Sequence, residues 1–164
     1  METVHELKKY GFHNVEFFMD TSFFAYPRKR IQTLKLKVQK PKQYIIINLN
    51  KNAEKFLPEI IEEAKYRYKK YEIKYIPMAK GNGNQYSDII YAHKIQKANI
   101  KQQRFTILDR EENFNDFIKT LAGASIVISS RLHLFLIASF LGVKTKVYPY
   151  QKKILKMKNI IENL

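Results

Sequence analysis

The chain of 164 residues contains no cysteine, which excludes disulfides, thiolate nucleophiles and cysteine-ligated zinc together. Glycine and proline are scarce, at 5 each, so a low-complexity class does not fit. With 45% hydrophobic and 27% charged residues, the chain has enough apolar material for a core and is not of the disordered type. Acids are in short supply: 15 Asp and Glu face 30 Lys and Arg, a formal charge of +15, so an anionic partner or substrate is favoured over a cationic one. Long apolar runs are missing as well. The longest, Leu134 to Val143, is well short of a bilayer span, and Met1 to Glu6 lacks an apolar signal region, so a cytoplasmic protein with no membrane span is expected. One domain over residues 1–164 is expected at this length.

What is present is alternation. Thr3 to Tyr10 reads as a short amphipathic helix ended by Gly11, and Val15 to Met19 as an apolar strand running into Asp20. Pro27 to Gln43 carries Arg28, Lys29, Arg30, Lys35, Lys37, Lys40 and Lys42 with no acid, a basic connector for which a solvated loop is a simpler account than a nucleic-acid strip. Strand signals follow at Tyr44 to Leu49, Ile73 to Pro77, Arg104 to Leu108, Ile126 to Ile128 and Lys144 to Tyr148. Helical spacing lies between and after them, over Asn52 to Tyr71 with a bend expected at Pro58, Ser87 to Lys97, Phe114 to Ala122, Leu132 to Leu141 and Lys152 to Glu162. Asp109 and Glu112 resemble a capping box before the third of these helices, and Gly142 closes the fourth. Such alternation predicts an α/β, Rossmann-like, mainly parallel sheet with helices on both faces and the Ile126 to Ile128 strand near its centre.

Sheets of this kind bind ligands at the carboxyl ends of their strands, which directs attention to the strand-to-helix turns. Gly81-Asn82-Gly83 has Tyr86 where a dinucleotide fingerprint needs a third glycine, and Lys80-Gly81 has the wrong order for a phosphate-binding Walker loop. A plain turn accounts for it. The turn Ser129-Ser130-Arg131-Leu132-His133 is more informative, because it puts two hydroxyls, a guanidinium and an imidazole where a buried strand becomes an apolar helix. A helix N-terminus there offers free N–H groups, a serine can cap it or bind an anion, and Arg131 adds a fork for carboxylate or phosphate. His133 is expected to be partly enclosed and neutral. The plainer alternative is a serine cap, an arginine at the rim and a packed histidine.

Residues Ala122 to Val143 (AGASIVISSRLHLFLIASFLGV) resemble the signature of the polysaccharide pyruvyl transferase family, in which a strand ends in Arg-Leu-His and a small-residue-rich apolar helix closes with Gly-Val. Asp20 with Phe23 is similar to that family's Asp-Pro-x-Phe segment, Tyr44 to Asn50 to its next strand, Asp88 to its mid-chain acid, and Tyr150 with Lys153 to its Tyr-x-x-Lys. Thr21 stands where the family has proline, Lys144 follows Gly142-Val143 where proline is common, and Asn50 occupies a place where an arginine is expected.

The resemblance implies the phosphoenolpyruvate-binding, C-terminal half of longer, two-domain enzymes similar to B-type glycosyltransferases, which move a pyruvyl group onto glycan hydroxyls as a ketal. It implies Arg131 as the anion clamp with Ser129 and Ser130 beside it, His133 as acid or donor, and Lys153 as a further cation, although a solvated basic face explains Lys153 more simply. It implies phosphoenolpyruvate and a glycan acceptor as partners, and a partner domain or second copy to complete the site against Phe23, Phe24 and Tyr26; no cofactor and no metal are expected. Two other classes compete: the nucleotide-sugar-binding half of a glycosyltransferase, and a basic module binding nucleic acid through Arg28 to Lys42, for which aromatics at core spacing argue poorly.

Overall fold

The computed structural model describes residues 9, 43–79, 87–99, 104–108 and 114–162. The expected helix Thr3 to Tyr10, strand Val15 to Met19 and basic connector lie outside these residues but for Lys9 and Gln43, as do Asp20, the three aromatics after it, the 81–83 turn and the Asp109–Glu112 box.

Five strands are seen among the described residues: β1 (Tyr44–Asn48), β2 (Glu72–Tyr75), β3 (Phe105–Ile107), β4 (Ile126–Ser129) and β5 (Thr145–Val147). All neighbouring pairs are parallel, in the order β3-β2-β1-β4-β5. β1 (YIIIN) and β4 (IVIS) are buried along their whole length, which is why they read as continuous apolar runs and not as alternation. The expectation for β4 is met: β1 is the central strand and β4 lies beside it.

Alternate residues of β1 feed two cores. Ile45, Ile47 and Leu49 pack with Ala53, Ile60, Ala64, Tyr91, Ala92 and Ile95 from the chain segments between β1 and β3. Ile46 packs with Ile118, Leu121, Leu134, Ile137 and Ala138 from the helices that flank β4. These contacts place α1 (Leu57–Glu62) and α2 (Ile89–Asn99) over one face, and α3 (Phe114–Ala122) and α4 (Leu132–Phe140) over the other. The last helix, α5 (Lys152–Glu162), buries Ile154 and Met157 against Val147, Phe135 and Leu136. Ile46 is wholly buried, so its truncation to alanine would cost about 2–5 kcal/mol.

The first helical segment departs from expectation. It is a 3-10 turn over Lys51–Phe56, the α-helix α1, and a π-helical turn over Glu63–Arg67, ending before Tyr71. Pro58 falls in the first turn of α1, where a missing N–H is harmless, so it opens the helix instead of bending it. Asn50 caps the 3-10 turn by accepting the Ala53 N–H at 3.1 Å. At the other expected stop, Gly142 has φ 68°, and its N–H and that of Val143 bond back to Ser139 and Ala138 at 2.9 and 3.0 Å. This pairing satisfies the last carbonyls of α4 and requires the left-handed conformation that glycine adopts without strain.

Candidate functional site

β1 and β4 end side by side, with Asn48 opposite Ser129 in the register. The remaining strands continue away from this pair on either side, β2 and β3 beyond β1 and β5 beyond β4. The carboxyl ends of β1 and β4 therefore form the topological switch point, where open parallel sheets accommodate ligands. In both strands the apolar run stops here at a polar residue: Asn48 is inaccessible to solvent and Ser129 nearly so.

The loops leaving the two strands are joined by hydrogen bonds. The Ser130 N–H donates to the Asn48 carbonyl at 3.1 Å, and the Asn50 N–H donates to Ser130 Oγ at 3.0 Å. Ser129 Oγ accepts the Arg131 N–H at 2.9 Å and donates to the Arg131 carbonyl at 3.2 Å. These bonds set Arg131, in extended backbone, at the N-cap position just before α4, with no side chain capping the helix.

A third segment supplies the acid. Asp88, next to the start of α2, is 1% exposed. Its Oδ1 accepts Arg131 Nη2 at 2.7 Å. Its Oδ2 receives Asn48 Nδ2 and the Met78 N–H at 3.1 Å, the Ala79 N–H at 3.2 Å and Arg131 Nε at 3.3 Å. A buried carboxylate without such partners would cost several kcal/mol, and this convergence of donors makes it tolerable. Tyr75 fastens the same region: its hydroxyl contacts the Leu49 and Asp88 carbonyls at 2.7 and 2.8 Å and accepts the Leu49 N–H at 3.1 Å. Burial pushes its phenol well above the ordinary tyrosine range.

The sequence-predicted residues are distributed as follows. Ser129, Ser130 and Arg131 meet at the switch point. Both serine hydroxyls are buried and bonded within the chain, and neither caps α4. The Arg131 side chain is 30% exposed. A guanidinium has five N–H donors; Asp88 engages one at Nε and one at Nη2, so the rest are not spent on it. His133 lies in the first turn of the same helix but is exposed, contrary to the enclosure expected of it. The buried run Leu134 to Ala138 begins at the next residue, so the apolar character of the helix does not extend cover to His133. Lys153 is exposed in the first turn of α5, beyond the edge strand β5.

Three contributors were absent from the predicted set: Asn48, Tyr75 and, as an arginine partner, Asp88. Asp88 is 43 positions from Arg131, so no local periodicity links them; the usable signal is an acid immediately before α2, in the connection that follows β2.

A second polar cluster lies on the face covered by α1. Lys146 Nζ donates to Glu59 Oε1 at 3.0 Å and Glu63 Oε1 at 2.7 Å, and the Tyr148 hydroxyl contacts the same two carboxylates at 2.9 and 3.3 Å. Burial works against the Lys146 charge, but its bonds to Glu63, Tyr148 and Glu59 outweigh that and hold the ammonium pKa up. The hydrogen bond from Lys146 holds the Glu59 carboxyl below its ordinary value.

Among the described residues no group of three or more His, Cys, Asp or Glu is arranged to hold a metal ion, and no helix is long and apolar enough to cross a membrane. Compared with known protein families, the chain matches the one described as polysaccharide pyruvyl transferase over residues 4–151. That span includes every strand and all of the switch-point residues, and it stops short of Lys153. No curated protein and no solved structure matches the chain.

Proposed function

Because the chain belongs to the polysaccharide pyruvyl transferase family, we propose that it binds phosphoenolpyruvate at the carboxyl ends of β1 and β4 and takes part in ketal pyruvyl transfer to glycan hydroxyls. The observation that carries this reading is Arg131: a guanidinium anchored on one side by Asp88, partly exposed on the other, and set at the uncapped start of α4. Phosphoenolpyruvate has a carboxylate and a phosphate, and both suit the planar fork of an arginine and the N–H groups of a helix start.

The reaction needs few groups. Two acceptor hydroxyls add to C2 of phosphoenolpyruvate, the methylene carbon takes a proton and becomes a methyl, and the bond from C2 to the phosphate oxygen breaks. One hydroxyl proton is accounted for by the new methyl and the other leaves with the phosphate. His133, exposed two residues beyond Arg131, is suited to move a proton between solvent and these groups, and accessibility helps a residue that must be recharged each turnover. Ser129 and Ser130 serve by fixing the loop that presents Arg131, and Lys153 contributes at most a peripheral cation. The acceptor would be held by a partner domain or a second copy, since positioning a hydroxyl about 3 Å from the reacting carbon can be worth several kcal/mol of barrier.

The test is thermal unfolding of the purified chain with and without phosphoenolpyruvate, in wild type and Arg131→Ala, with a nucleotide sugar as the competing ligand. Stabilisation of wild type by phosphoenolpyruvate, lost in Arg131→Ala, is the expected result. Equal stabilisation of both proteins would remove Arg131 from the site, and protection by the nucleotide sugar alone would replace this reading with the glycosyltransferase one. Phosphate release with a panel of glycans, by the chain alone and with candidate partner polypeptides, tests the acceptor side; robust turnover by the chain alone would place the acceptor site within it.

A further inference from the structure

A buried acid beside an anion-binding arginine is a paradox, because its charge opposes the ligand's. Asp88 stands against the guanidinium from which the ligand is to be held, and by charge alone its removal should tighten anion binding. We infer that Asn48 and Asp88 are positioning residues, which hold the Arg131 guanidinium in one orientation so that its remaining N–H donors face a ligand at the switch point. The inference rests on the reading of Arg131 as the anion-binding residue and goes beyond it by naming what orients that residue and in which direction the acid acts.

Three observations support it. First, Asp88 takes Arg131 at two nitrogens, Nε and Nη2, so the guanidinium plane is fixed and not merely attracted. Second, the acid is itself immobilised by groups outside the pair, the Met78 and Ala79 N–H groups and the Asn48 amide. Third, Asn48 accepts a penalty for this task. Its Nδ2 donates to the Ile76 carbonyl at 2.8 Å and to Asp88, while its Oδ1 is buried with no hydrogen-bond partner. Turning the amide over would set Oδ1 against two oxygens, so the orphaned acceptor is the cost of keeping Nδ2 on Asp88. A residue that served packing alone would not need to retain a polar atom in that state.

The arrangement makes Asp88→Asn a selective change. Four donors converge on Oδ2, so the new amide oxygen belongs there, and the new NH₂ group is forced to face Arg131 Nη2, donor against donor. Neutralising the acid and releasing the guanidinium then act in opposite directions on affinity, and the sign of the change decides between them.

The experiment is calorimetric titration of phosphoenolpyruvate into the whole chain as wild type, Asp88→Asn and Asn48→Ala, with NMR of the Arg131 Nε–H signal in each. Asp88→Asn is expected to weaken binding about tenfold or more, with loss of the exchange-protected Nε–H signal; Asn48→Ala is expected to weaken it less and broaden the same signal. Unchanged or tighter binding by a folded Asp88→Asn would overturn the inference, as would an Nε–H signal unaltered in both variants. If Asp88→Asn does not fold, Asn48→Ala decides, and unchanged affinity with an unchanged signal there overturns it as well. If wild type fails to bind phosphoenolpyruvate, the functional reading falls by that result, whereas the Nε–H signal still decides whether Asn48 and Asp88 hold Arg131.

Discussion

Two clusters of the molecule pair a cation with carboxylate and tyrosine, yet they are built for different purposes. At β5 and α1, Lys146 lies between Glu59 and Glu63, and its ammonium also sits 4.8 Å from the Tyr148 ring centroid. Its donors go to neighbours that are themselves partly in water, with the Glu59 side chain 55% exposed. At the switch point the cation is about as exposed, 30% for Arg131 against 34% for Lys146, but the acid is far deeper, with the Asp88 side chain 1% exposed against 14% for Glu63. The lysine cluster is a tie between an edge strand and the helix above it. The arginine cluster differs in burying its acid completely, so that the cation is held by an anchor water does not reach. Counting ion pairs would treat the two as alike; burial separates them, because an exposed pair is screened by water while a buried charge deprived of its partner is not.

The comparison breaks most easily at its acid. Asp88→Ala strands the Met78 and Ala79 N–H groups as well as Arg131, so we expect a loss of about 3 kcal/mol in stability, against about 1 kcal/mol or less for Lys146→Met, both read from urea unfolding. Comparable losses would mean that the two clusters are equivalent ties. An intermediate effect is expected from Ser130→Ala, which leaves the buried Asn50 N–H without its acceptor; a cost of about 1–2 kcal/mol follows from such a loss, and a cost near zero would show that the two loops are not held together by this hydroxyl.

The smallest effect concerns pH. The folded-state pKa of Glu59 is depressed, first by its bond from Lys146, so its contribution is present above the ordinary glutamate range and is lost as pH falls through the lowered folded value. With a side chain more than half exposed, it should amount to about 0.3 kcal/mol. Stability measured from neutral to acid pH should therefore decline slightly less in Glu59→Gln than in wild type, and a steeper decline in the variant would reverse the assigned sign.

Much of the fold was legible because its signals are local. α3 and α5 have the bounds expected from their spacing, and the strands follow from β-branched apolar runs such as Tyr44–Asn48 and Ile126–Ser129. Gly142 could be read as a stop because the left-handed conformation selects its residue type. Of the site, the contiguous Ser129-Ser130-Arg131 turn is legible and Asp88 stands out as an acid, whereas the pairing of Asp88 with Arg131 is not, since the strand order that brings them together is not written in any single window. Asn48 read as one more residue in an apolar strand. His133 is exposed although its helix is apolar, because burial of the residues that follow it does not extend back to it.

The end of β1 has one further consequence. The N–H groups of Leu49 and Asn50 donate to Tyr75 and Ser130 side-chain oxygens and not to a neighbouring strand. Exchange of these two amide protons with solvent therefore tracks the opening of the side-chain network around the switch point, separately from unfolding of the β-ladder. Two adjacent positions thus act as a built-in reporter: protection that rises there when an anion is added, with the Ile45–Ile47 amides unchanged, would record occupancy of the site in a protein with no tryptophan to fluoresce.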